Sequence, residues 1–160
     1  MQAIAQVETV AAPLSAAQRA MIDAAVAALD DRWLTRTLAD LVDIPSPFGE
    51  ERAIAEHLDR VMADCGLASH VQRMDAQSAN AIGRFGGGDG PRLMIFAPLD
   101  SPFTGRAEDE VPWVGDALPS HMIAKAIVRD GTVTGLSADN PKAHIACGLA
   151  AVRALARTGA

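Results

Sequence analysis

Apolar positions along the chain recur at two different spacings, and the change from one to the other divides it. From residue 16 to residue 64 they recur every three or four positions: Met21, Ala25 and Leu29, then Leu34, Leu38, Leu41 and Val42, then Ile54, Leu58 and Val61. That is the period of one helix face. The spacing predicts helices over about 16–29, 31–43 and 49–64. Local signals agree at their ends. Ser15 stands where an N-cap belongs. Pro45 and Pro47 in "IPSPFGE" break the second helix. Glu50 and Glu51 fall in the first turn of the third, where the helix dipole favours negative charge, and Gly66 lies just past its end.

Beyond Gly66 the pattern shortens. "HVQRM" and "NAIGRF" alternate in part and predict short strands, and "GGGDG" at 86–90 predicts a tight connection. "RLMIFA", 92–97, is a continuous apolar run, which predicts a strand buried on both faces. Residues 98–120 are long, acidic and rich in proline, the mark of a functional or mobile loop. "IAKAIV" and "TVTG" around Asp130-Gly131 predict a hairpin. The helical period returns over about 141–157 with Ile145, Leu149, Val152 and Leu155. Helices flanking a central strand give an α/β fold, a layered sheet flanked by helices. Residues 1–14 read as a flexible arm and 15–160 as a single domain.

Composition narrows the function. Hydrophobic residues make up 49% of the 160, enough for a real core, but aromatics only 4% with no Tyr, so that core is aliphatic. A formal charge of −6 with scattered Lys and Arg argues against nucleic acid. Cys65 and Cys147 stand in no metal-ligand spacing and read as reduced thiols. The N-terminus makes a poor signal peptide and no run is long enough for a membrane span, so the expected location is cytoplasmic.

Chemistry-bearing side chains crowd one stretch, "GLSADNPKAH", residues 135–144. As helix grammar it is ordinary: Asn140 as N-cap, Pro141 at the first helical position, Asp139 complementing the dipole. As a site it offers Asp139 and Asn140 for substrate binding, with Lys142 and the helix-start amides able to polarise a carbonyl. Asp100 follows the "RLMIFA" run, at the kind of strand end where α/β ligand sites gather. Trp113, inside the acidic loop "RAEDEVPWVGD", is a candidate for contact with substrate or partner, while the charge run itself reads as a solvated face. His57 and His121 have no ligand partner nearby.

Three stretches in order, "LVDIPSPFGEERAIAEHL", "RLMIFAPLDS" and "DGTVTGLSADNPKAHIACGLAAVRAL", resemble the first half of the catalytic domain of the zinc-exopeptidase family of acetylornithine deacetylase, succinyl-diaminopimelate desuccinylase and aminoacylase. The resemblance covers residues 34–160. It implies a partial zinc-exopeptidase-like fold and hydrolysis of an amide or related C–N bond. In that family a His–x–Asp pair ends the buried strand, the histidine binding zinc and the aspartate orienting it. Here Asp100 keeps its place, but Pro98 stands at the histidine position. The carboxylate that bridges two zinc ions in the family falls on Asn140. Both first-half ligands are therefore altered, which implies no metal from this chain alone. Asp139 and His144 are the nearest side chains with a donor to offer. The family's Glu-Glu pair, whose first member is the general base, does not follow Lys142.

The resemblance thus implies a subunit of a heteromeric amidohydrolase, with Asp100 and Lys142 as catalytic groups, Asp139, Asn140 and Trp113 binding a small amide substrate, and a second chain completing the site. A divalent metal such as zinc enters only if that partner supplies ligands. The alternatives are a non-catalytic or regulatory partner of a related enzyme, and a degenerate remnant.

Overall fold

The computed structural model describes residues 13–87 and 89–159. Among these residues, five α-helices and two small sheets make a mixed α/β protein. The helices are α1 (Ala16–Ala27), α2 (Asp31–Val42), α3 (Arg52–Asp64), α4 (Ala107–Val114) and α5 (Ala143–Arg157). Strands β1 (Ala68–Arg73) and β2 (Ala79–Arg84) form one antiparallel pair, β3 (Ile127–Arg129) and β4 (Thr132–Thr134) the other. No helix among the described residues is long and apolar enough to cross a membrane.

The helical spacing of the sequence is realised in the core. Leu41 of α2, Ile54 and Leu58 of α3, and Ile145, Ala146 and Leu149 of α5 form one buried cluster. Side-chain caps fix the starts of α1 and α2. Ser15 and Gln18 make a reciprocal capping box, and Asp30 accepts the Trp33 backbone N–H at 3.0 Å. Asp30 also accepts Arg153 of α5 at 3.4 Å, and the Arg153 guanidinium lies over the Trp33 ring, 4.7 Å from its centroid. This ties α2 to α5 outside the apolar cluster. The exception is α1, which buries none of its residues despite its periodic Met21, Ala25 and Val26. Of the expected arm, residues 1–12 lie outside the described residues.

The hairpin expected around Asp130-Gly131 forms, and the two short strands expected before Gly86 form as well and pair with each other. Residues 98–120 are not all loop, because Glu108, Asp109 and Glu110 stand in the first turn of α4 and stabilise its positive end. Nor is this charge run simply solvated. Glu110 is buried and accepts the Thr104 N–H at 2.7 Å, pinning the loop before the helix.

The larger difference lies at 92–97. A strand buried on both faces was expected there, at the centre of a layered sheet. Instead this segment joins no ladder, and the two hairpins remain separate sheets. Ile95 approaches Gly148 on α5, and Ala97 and Leu99 pack against the helical core. The run before them stays open: Leu93, Met94, Ile95 and Phe96 are 86%, 85%, 62% and 79% exposed. Among the described residues no strand pairs with it.

Candidate functional site

Two loops carry the candidate residues, and buried hydroxyls hold them together. After Leu99 and Asp100 the chain turns at Ser101, whose N–H donates to the Ser46 carbonyl at 2.7 Å. The Ser101 hydroxyl donates to the Phe103 carbonyl at 2.9 Å and accepts the Ser137 hydroxyl at 3.0 Å. Ser137 has a left-handed backbone, φ 59° and ψ 21°, at the head of the turn that carries Asp139 and Asn140. Ser46 and Ser101 are fully buried, and the Ser46 hydroxyl finds no partner among the described residues. Sequence reading passes over these serines, because nothing in a serine's neighbours marks it as buried.

The 138–142 turn is irregular. Asn140 is extended, φ −148° and ψ 118°, followed by Pro141 and then α5 from Ala143. The backbone at Asn140 therefore suits a residue flanking a helix, but its side chain makes no capping bond. Gly135 brings the turn close to α2. A Cβ there would collide with Val42 Cγ1 and stand 3.0 Å from the Lys125 carbonyl oxygen.

Lys142 occupies no cleft. It is fully buried, and its ammonium donates to the Ile44 carbonyl at 2.8 Å. Loss of hydration brings its pKa from 10.5 down to about 8, opposed by attraction to the Asp43 carboxylate. Asp43 itself accepts the Ala126 N–H at 2.6 Å and pairs with the Lys125 ammonium, and these hold its pKa below the usual carboxylate value. Lys142 thus fastens α5 to the end of α2.

Asp100 and Asp139 line different hollows. Asp100 faces an open groove of about 210 Å³ between the start of β2 and residues 96–100, with Glu51, Ser78, Asn80, Phe96 and Pro98 among its walls. The Asp100 carboxylate makes no hydrogen bond or ion pair among the described residues. Asp139 faces a shallow hollow of about 300 Å³ together with His121, Thr134 and Gly135. Asn140, Lys142 and His144 line neither, and Trp113, 86% exposed on α4, stands apart from both.

Zinc does not fit these residues. Pro98 has no donor, Asn140 brings no charge, and no group of three His, Cys, Asp or Glu among the described residues is placed to hold a metal ion. His57 is half-buried with its Nε2 unpartnered, and burial lowers its pKa. His144 is exposed on α5.

No protein-family model, no curated protein and no solved structure matches the chain.

Proposed function

We propose that this chain is one subunit of a heteromeric amide hydrolase, completed by a second protein chain and inactive alone. One observation carries the need for a partner: the apolar run Leu93–Phe96 is exposed along its length and joins no ladder among the described residues. Four consecutive large apolar side chains on an unpaired segment mark an association surface. The amide-hydrolase class rests on the three stretches that resemble the deacetylase family, and on Asp100, a carboxylate without an internal partner beside that run.

In this assembly Asp100 and Asp139 are offered at the surface for orienting substrate or a catalytic group of the second chain. Any metal is held by ligands of that chain, since the donors here do not suffice. A second reading, a non-catalytic partner of a related enzyme, draws on Lys142. Its ammonium is spent on the Ile44 carbonyl and faces no cleft.

Isolating the chain at its natural level, weighing the intact complex and assaying N-acyl amino acid hydrolysis tests both. A stoichiometric hetero-complex that hydrolyses amides, with Asp100→Asn lowering kcat at least tenfold, is the expected result. A complex whose turnover Asp100→Asn leaves unchanged favours the non-catalytic partner. A lone chain contradicts both.

A further inference from the structure

The groove beside Asp100 has a construction that neither the resemblance nor the expected substrate accounts for. One wall is the start of β2, which pairs with β1 on one edge and, among the described residues, with no strand on the other. The other wall is the segment ending in Phe96 and Ala97, whose backbone enters no ladder. Two stretches of backbone outside any further ladder among the described residues, Ser78–Asn80 and Phe96–Ala97, border one trough. Exposed side chains, Met74 and Phe96, form its apolar sides. Two carboxylates, Glu51 and Asp100, line it, and no Lys, Arg or His does. Glu51 gives one oxygen to the Gly49 N–H, and Asp100 gives none to any described residue.

Each feature selects an occupant. Free backbone edges are matched by extended peptide, which adds main-chain hydrogen bonds to a strand edge. Apolar sides select alternate apolar side chains, since an extended chain presents every second residue to the same face. Carboxylates without a cation select a basic group. Pro98 has no N–H and ends the pairing edge, so the ladder is confined to the residues before it.

We propose that this groove binds an extended peptide segment of the partner subunit, laid between Ser78–Asn80 at the start of β2 and Phe96–Ala97, with apolar side chains on Met74 and Phe96 and one Lys or Arg held between Glu51 and Asp100. This rests on the assembly proposed above and specifies how the second chain engages it. The bound segment gives main-chain partners to the start of β2 and to Phe96–Ala97 and covers the Phe96 end of the apolar run.

The test uses the full chain and synthetic peptides, followed by backbone amide NMR. The probe is the blocked heptapeptide Val-Thr-Leu-Lys-Val-Thr-Leu; the controls replace its Lys by Glu or its second Val by Pro. Weak binding is expected, with Kd on the order of 0.1–1 mM for so short a strand. Shifts should centre on Ala79, Asn80, Phe96 and Ala97. The Glu peptide should bind roughly five- to tenfold more weakly and the Pro peptide not detectably. Asp100→Asn should weaken the Lys peptide roughly two- to fivefold and narrow the gap between the Lys and Glu peptides. Equal affinity for the Lys and Glu peptides, shifts elsewhere, or no binding of any peptide at about 2 mM overturns the proposal. So does displacement of the peptide by self-association, which would make the occupant a second copy. Peptide failure alongside a stable native complex overturns the groove alone; peptide binding by a chain that purifies alone supports the groove and overturns the assembly.

Discussion

Lys142 carries the sharpest residue-scale consequence, because a buried ammonium couples folding to pH. Its folded pKa is about 8 against 10.5, so between these values the unfolded chain holds a proton that the folded chain has released. Stability therefore rises with pH across 8 to 10.5, by up to about 1.4 kcal/mol per pH unit, and the whole penalty is present below pH 8. Urea midpoints for the wild type and Lys142→Met should show it. The difference should narrow or reverse in favour of the wild type as pH climbs from 8 to 10.5, and a flat difference contradicts the assignment. Ser46 gives a simpler case. Its hydroxyl is buried without a partner among the described residues, so Ser46→Ala should leave stability unchanged or raise it by up to about 1 kcal/mol. A loss larger than that in chemical denaturation would mean the hydroxyl is bonded after all. Neither environment was legible in the sequence. Lys142 sits among polar neighbours in "SADNPKAH", where an exposed cleft is the natural expectation, and only the fold shows its side chain running inward to Ile44.

At the scale of elements, legibility follows how local the determinants are. α2, α3 and α5 are written in apolar spacings within a dozen residues, and both hairpins in short strands joined by turns. These hold in the structure to within a few residues. Segment 92–97 is different, since an apolar run states a wish for burial while pairing depends on distant chain. Ile95, Ala97 and Leu99 meet the helices; Met94 and Phe96 meet nothing comparable. α1 fails the same way, with a periodic stripe that buries no residue. Capping can start a helix, but burial of its apolar face needs a neighbour. Gly135 lies so close to α2 that a Cβ there would collide with Val42. Gly135→Ala should cost about 2–3 kcal/mol, from overpacking and a backbone angle of φ 157° at the margin of what a side chain accepts. A denaturation midpoint unchanged by the substitution would show that the turn relaxes freely away from α2.

For the molecule as a whole, the feature on which the proposed role rests is an exposed apolar segment. Among the described residues the strands stand as two separate hairpins, and residues 92–97 join neither. An isolated two-stranded hairpin is marginal in water, and β1 with β2 owes its place to α3 behind it. Amide hydrogen exchange at Leu93, Met94, Ile95 and Phe96, measured first in the isolated monomer and then in the native complex, tests the completed-subunit account most directly. These amides should exchange unprotected in the monomer and slow at least a hundredfold in the complex. Protection already present in the monomer would mean that the segment pairs within its own chain, and would contradict the account.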